Sequence, residues 1–66
     1  MHHKLYIARR EARLSQIKVA RMLNISNATY SLKENGKADF TLSEARKLAE
    51  IFGCTLNDLF QKEASA

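Results

Sequence analysis

Residues that start and stop helices recur at short intervals along this 66-residue chain, and they constrain its fold more than any other feature. Serine and threonine side chains accept hydrogen bonds from the free amides at helix N-termini. Glycine and asparagine adopt the left-handed backbone that ends helices. The start signals are Ser15, Ser26, Thr41 and Thr55, and the stop signals are Asn24, Gly36 and Gly53. This spacing predicts an all-α fold, a compact bundle of five short helices.

Apolar residues three or four positions apart support these helices, as Leu5, Ala8 and Ala12 do in the first. Thr41 and Glu44 have the spacing of a capping box at the start of the fourth helix, and Thr55 with Asp58 resembles a weaker one before the fifth. The predicted bounds are 4–12, 16–23, 27–35, the segment from Thr41 to Gly53, and a short helix after Thr55.

Charge is distributed unevenly along the chain, whose net charge is +4. Residues 1–37 carry eight lysines and arginines against two glutamates, whereas residues 38–66 carry three basic and five acidic residues. A basic half joined to a mildly acidic half indicates a face that binds a polyanion, backed by a structural or partner face. The alternative is a basic surface that is merely solvated.

Several function classes find no support in the sequence. Cys54 is the single cysteine, which excludes an internal disulfide and is typical of the reducing cytoplasm. No apolar run approaches the roughly 18 residues of a membrane span. No arrangement of serine, cysteine, histidine and acidic residues is typical of a nucleophile or a metal site. We therefore expect a cytoplasmic protein that is not an enzyme, without metal, cofactor, small-molecule ligand or membrane partner.

Residues 14–37, LSQIKVARMLNISNATYSLKENGK, followed by FGCTLNDLF at residues 52–60, carry a family resemblance. They resemble the Cro/C1-type (XRE-like) helix-turn-helix regulators of phages and bacteria. The resemblance implies a lambda-repressor-like fold, with residues 1–66 as one DNA-binding domain and the motif at 15–36. It also implies double-stranded DNA as the partner, with the third helix in the major groove.

Phosphate contacts are expected on both sides of that inserted helix. Gln16 lies in the first turn of the second helix, where free amides and the helix dipole favour an anion. On the other flank, Asn35, Gly36 and Lys37 leave the third helix at a turn, where Lys37 supplies a counter-charge. The resemblance implies phosphate contacts from Ser15, Gln16, Arg9, Arg21, Thr29, Asn35, Gly36 and Lys37. Ser15 as a cap only, and Asn35–Gly36 as a helix stop only, are the alternatives.

Arg9 and Glu34 match positions that commonly pair in this family, joining the first helix to the end of the third. We expect a surface ion pair, which contributes at most about 1 kcal/mol and so acts mainly by orienting the third helix. The loop after the first helix departs from the family because Arg13 stands where glycine is usual. Lys18 likewise replaces the usual acidic residue in the first turn of the second helix.

Base reading is implied for the exposed side of the third helix, by Asn27, Ala28 and Leu32 with Ser26 and Ser31 beside them. Asparagine can bond adenine, and alanine and leucine can contact the thymine methyl, so we expect A·T-rich half-sites. Leu32 has two possible orientations. Its spacing from Ile25 and Ala28 is typical of core, whereas a hydrophobic staple between Ile25 and Tyr30 turns Leu32 outward.

The acidic, apolar C-terminal third is the expected partner surface. We predict a dimer face at residues 52–61 with Leu56 and Phe60 in contact, although both could instead be core. A homodimer, formed in solution or only on DNA, would place two reading helices about 34 Å apart. The predicted function is a repressor that occupies operator DNA. The alternative is an antitoxin-like module that binds a partner protein through this face and can also bind DNA.

Overall fold

The computed structural model describes residues 1–60, and this part of the chain consists of helices joined by turns. The five helices are α1 (His3–Glu11), α2 (Gln16–Leu23), α3 (Asn27–Glu34), α4 (Leu42–Phe52) and α5 (Leu56–Phe60). The all-α prediction is confirmed. The predicted bounds differ from the observed ones by one residue, at both ends of α1 and at the end of α3. Among residues 1–60, no helix combines the length and apolar character needed to cross a membrane.

Side-chain caps begin the helices where the sequence predicted them. Ser15 accepts a hydrogen bond from the Lys18 amide, and Ser26 accepts one from the Thr29 amide, both at 3.1 Å. Thr41 and Glu44 form the reciprocal capping box, with bonds of 2.9 and 3.1 Å. A cap of this kind contributes about 1 kcal/mol, so the three together stabilise a domain with a small core appreciably.

The core takes one large apolar side chain from each helix. Leu5, Val19, Tyr30, Leu48 and Leu59 are buried together, with no more than 2% of any of them exposed. Because Tyr30 points into this core, the helical period turns the opposite side of α3 outward.

Leu32 lies on that outward side, and 48% of it is exposed. The staple therefore predicted the orientation of α3 correctly, and the alternative that places Leu32 in the core is wrong. The buried position of Tyr30 fixes the register of the whole helix.

Four residues at helix ends or in the turns after them have left-handed backbone: Arg13, Asn24, Gly36 and Gly53. Asn24 and Gly53, at the ends of α2 and α4, have φ of 61° and 64°. Arg13, in the turn after α1, has φ of 59°. Asparagine and glycine tolerate this region, but an arginine there is strained because its Cβ crowds the following carbonyl. The turn keeps the geometry that glycine would adopt, although the residue is not glycine.

Candidate nucleic-acid interface

The outward side of α3 carries the residues predicted to read bases. Ser26, Asn27, Ala28 and Leu32 are exposed, and Ser31 is partly exposed one turn along. Between Ser26 and Leu32 the face offers few hydrogen-bonding groups. The Ser26 hydroxyl already donates to Thr29 Oγ1 at 2.8 Å, which ties together two of the polar groups at the start of α3.

Gln16, at the start of α2, is half-buried and reaches across to α3. Its Nε2 donates a hydrogen bond of 2.9 Å to Glu34 Oε1. Glu34 is the last residue of α3, so Gln16 adjoins the end where Asn35, Gly36 and Lys37 follow. Tertiary packing of α2 on α3 brings these groups to the same end of α3. That Gln16 and the turn at Asn35–Lys37 contact phosphates on opposite flanks of α3 stays a prediction.

The turn after α3 exposes Asn35, Gly36 and Lys37. The Lys37 amide donates a hydrogen bond to the Leu32 carbonyl at 2.9 Å, which fixes the backbone of the turn. The Lys37 side chain is the cationic group of these three residues. Gly36 has φ of +82°, and a Cβ built on it would lie 3.1 Å from the backbone nitrogen of Met1.

The chain's first residues close this end of α3. The His2 amide donates to the Glu34 carbonyl at 3.0 Å, and the His2 ring packs against Phe40 and Phe60. No pattern in the sequence predicted this docking. It brings the Met1 backbone close to Gly36, so a side chain at Gly36 is disfavoured independently of any DNA contact.

Glu34 is the node of a buried polar cluster that joins α1, α2 and α3. Oε2 accepts from Arg9 Nε at 2.8 Å and from the Tyr30 hydroxyl at 2.7 Å. Oε1 accepts from Gln16 Nε2 at 2.9 Å and from Arg9 Nη2 at 3.2 Å. An ionised carboxylate has about four acceptor positions, so these four donors satisfy it.

Burial alone would raise the pKa of Glu34, but the hydrogen bonds from Arg9, Tyr30 and Gln16 outweigh it and hold the pKa below its ordinary value. Burial together with the bond to Glu34 raises the pKa of Tyr30 far above its ordinary range. The hydrogen bond to Glu34 raises the pKa of Arg9 despite the opposing effect of burial. The cluster therefore holds a carboxylate, a guanidinium and a neutral phenol.

The expectation of a surface ion pair between Arg9 and Glu34 is corrected by their burial. Only 9% of the Arg9 side chain and 1% of the Glu34 side chain are exposed. Removing one partner of such a buried pair costs about 3–5 kcal/mol, because the other charge is left uncompensated. Arg9 also donates through Nη1 to the Leu14 carbonyl at 2.9 Å, so three of its nitrogens are bound within the protein. A phosphate contact from Arg9 stays a prediction.

Arg21 and Thr29 belong to the part of the motif where α2 ends and α3 begins. Arg21 is exposed in the last turn of α2, and Thr29 is partly exposed in the first turn of α3. Ser15, by contrast, is exposed beside Gln16 and acts as the cap of α2. Phosphate contacts of these three residues stay predictions.

Lys33 and Glu44 form a second ion pair, which links α3 to α4. Lys33 Nζ lies 2.6 Å from Glu44 Oε1, and the two side chains are only 13% and 15% exposed. Burial opposes ionisation of Glu44, but the bonds from Lys33 and Thr41 hold its pKa below the ordinary value. The sequence predicted Glu44 as a capping residue and missed its pairing with Lys33.

The predicted dimer residues line a shallow groove beside the docked N-terminal residues, next to the C-terminal end of α3. Leu56 and Phe60 border it together with His2, Asp39, Phe40 and Ala45. Phe60 is half-buried, with its ring edge-on to Phe40 at a centroid distance of 5.6 Å. It therefore contributes to internal packing and also faces the groove. Residue 61, the end of the predicted face, lies outside the described residues. Within residues 1–60, no three histidine, cysteine or acidic residues cluster as metal ligands would.

Comparison with known proteins identifies a family for this arrangement. A family model described as helix-turn-helix matches residues 5–59, which is nearly the whole of the described chain. No curated protein matches the sequence.

Proposed function

The chain belongs to the Cro/C1-type helix-turn-helix family of DNA-binding regulators, and from this premise we propose that it is a repressor that binds operator DNA as a homodimer. In this proposal α3 enters the major groove, and the bound protein excludes polymerase from a promoter in the cytoplasm. The observation that carries the proposal is the exposed side of α3, which ends beside Gln16, Asn35 and Lys37, groups with the chemistry to bind phosphate.

A major groove about 12 Å wide admits an α-helix, and the exposed side chains of α3 have the chemistry to contact bases there. Asn27 can form two hydrogen bonds to adenine, while Ala28 and Leu32 suit the thymine methyl. Ser26 and Ser31 border these residues and can reach neighbouring base edges. We therefore expect an operator whose half-sites are rich in A·T pairs.

Phosphate binding is proposed at two places along α3. Gln16, Asn35 and Lys37 form the first group, at the C-terminal end of the helix, with Ser15 and Gly36 beside them. Arg21 and Thr29 form the second, at its N-terminal end. Contacts to phosphates give sequence-independent affinity and fix the register of the helix in the groove.

Dimerisation is proposed through the groove that Leu56 and Phe60 line. A two-fold axis there would present two copies of α3 to half-sites one helical turn apart, about 34 Å. Sedimentation with and without operator DNA measures the stoichiometry. One protein per duplex in every condition would refute the dimer. The groove would then be free to bind a different protein, as the antitoxin alternative requires.

The proposed function is tested by selecting binding sites from random duplex DNA and by footprinting the DNA that flanks the protein's own gene. We expect protected half-sites rich in A·T. Selection of G·C-rich sites would contradict the assigned reading face, and failure to bind any duplex at low salt would refute the function.

The salt dependence of the DNA-binding constant distinguishes a direct phosphate contact from an effect of net charge. Lys37→Ala should weaken binding to all sequences and reduce the slope of log K against log salt by about 1. Lys47→Ala is the matched control, because it removes the same charge from an exposed position on α4. Equal effects of the two substitutions would show that Lys37 acts only through net charge.

A further inference from the structure

The contact between Gln16 and Glu34 does more than hold two helices together. We infer that Glu34 is a positioning residue for phosphate binding, which fixes the side-chain amide of Gln16 so that one N–H faces the protein and the other faces the DNA backbone. The inference rests on the proposed function, since it concerns the DNA contact of Gln16.

The chemistry of the two groups determines the orientation of the amide. A glutamine amide can be turned so that either its oxygen or its nitrogen meets a neighbour. An ionised carboxylate only accepts hydrogen bonds, so Glu34 Oε1 must meet Nε2, and the distance of 2.9 Å agrees. A phosphate oxygen also only accepts. Nε2 carries two hydrogens, and it can therefore bridge the carboxylate and a phosphate.

A carboxylate close to DNA would ordinarily repel the phosphates, but the structure compensates Glu34 from within. Arg9 donates to both carboxylate oxygens, at 2.8 and 3.2 Å, and Tyr30 donates at 2.7 Å. Glu34 is 1% exposed, so it meets DNA only through Gln16. The role of Arg9 in this arrangement is to neutralise and hold the carboxylate.

Net charge and positioning predict opposite effects for Glu34→Gln. The substitution removes a negative charge and releases Arg9 from its partner, so by charge alone it should tighten DNA binding at low salt. If Glu34 positions Gln16, the substitution should weaken binding about 10-fold, because an amide in its place no longer dictates which end of the Gln16 amide faces outward. The sign of the change decides between the two.

A double-mutant cycle tests the inference with the full chain and a duplex that carries its selected site. We expect Gln16→Ala and Glu34→Gln each to weaken binding about 10-fold, and the double substitution to weaken it little further. Equal losses from Glu34→Gln with and without Gln16 would show that Glu34 only holds α3 in place and would overturn the inference. Glu44→Gln is the matched control. It removes the same charge and breaks the ion pair that joins α3 to α4 without touching Gln16, so DNA affinity should change less than 2-fold (a structural role of holding α3 would predict a loss).

A second measurement covers the case in which Glu34→Gln does not fold. In the unsubstituted protein free of DNA, the Gln16 side-chain amide should show an NMR order parameter close to the rigid-backbone value of about 0.85. The exposed side chain of Asn57 should lie below about 0.6. A Gln16 amide as mobile as that of Asn57 would overturn the inference. Unchanged binding by Gln16→Ala would overturn it too, while the proposed function would stand if Lys37→Ala weakened binding. No binding by the unsubstituted protein would refute both.

Discussion

Replacing Arg13 by glycine should stabilise this protein, although it removes a side chain and a charge. Arg13 has φ of 59° in the turn between α1 and α2. The turn is fixed on both sides, because the Arg13 amide donates to Arg10 at 3.0 Å and the Leu14 amide donates to Arg9 at 3.1 Å. The buried Arg9 side chain also bonds the Leu14 carbonyl. Surrounding contacts therefore hold Arg13 in a conformation that its own Cβ disfavours.

The size of the gain follows from two opposing contributions. A left-handed backbone costs a residue with a Cβ about 1–2 kcal/mol, and glycine avoids this cost. Glycine loses more backbone entropy on folding, which offsets about 0.5–1 kcal/mol of the gain. The Arg13 side chain is exposed, so its removal loses little packing. The net increase in the free energy of unfolding should be about 0.5–1 kcal/mol, or about 5 °C in thermal midpoint for a domain of this size.

Thermal and urea unfolding of Arg13→Gly and Arg13→Ala separate the Cβ from the charge. Both variants lose the same charge, but only glycine relieves the backbone, and alanine should unfold within about 0.5 kcal/mol of the unsubstituted protein. Arg13→Gly no more stable than Arg13→Ala would refute the reasoning and show that the turn is not strained.

Three further predictions concern the ends of α3 and α4. Gly36→Ala should destabilise the protein by about 2 kcal/mol and Gly53→Ala by about 1 kcal/mol. Both glycines have positive φ, but only at Gly36 would a Cβ lie close to another group, 3.1 Å from the backbone nitrogen of Met1. Urea unfolding measures the difference, and equal losses would argue against the docking of residues 1 and 2. The hydrogen-bond partners of Glu34 hold its pKa lower in the folded protein than in the unfolded chain. Glu34 therefore stabilises the fold above about pH 4.5, and this stabilisation is lost as the pH falls through the folded pKa. Thermal midpoints recorded from pH 7 to pH 3 should fall less steeply in Glu34→Gln, and parallel curves would contradict the assignment. Glu44→Ala should cost about 1–2 kcal/mol through its cap and its ion pair, whereas Glu50→Ala, at an exposed position on the same helix, should cost less than about 0.5 kcal/mol in chemical denaturation.

The helices could be predicted because their limits are set by interactions within four residues. Ser26 bonds the Thr29 amide, and once that cap is fixed, Tyr30 falls on the inner side of α3 and Leu32 on the outer side. Periodicity alone favoured the opposite orientation, since three apolar residues share the stripe that includes Leu32. The cap was the better guide because it fixes where the helix begins.

The polar cluster could be predicted only in part, because its members are far apart in the sequence. Resemblance paired Arg9 with Glu34, 25 residues away, but the depth of that pair depends on how three helices pack. Nothing local indicates that Gln16, 18 residues from Glu34, shares its carboxylate. The docking of His2 beside Glu34 likewise depends on the tertiary structure. Long-range contacts of this kind determine which of the residues predicted to bind phosphate lie close together.

The exposed side of α3 carries few hydrogen-bonding side chains, and this limits how well it can discriminate between DNA sequences. On the proposed function, each half-site is read by one asparagine, two serines and two apolar side chains. A bidentate pair such as asparagine with adenine discriminates by about 1–3 kcal/mol, which is less than the roughly 4–10 kcal/mol that separates specific from non-specific binding. On the proposed function, one such pair in each half-site leaves a monomer short of that difference. Two half-sites on one duplex would double the discrimination, so the chemistry of Ala28 and Leu32 supports the proposed dimer as much as the apolar groove at Leu56 and Phe60 does.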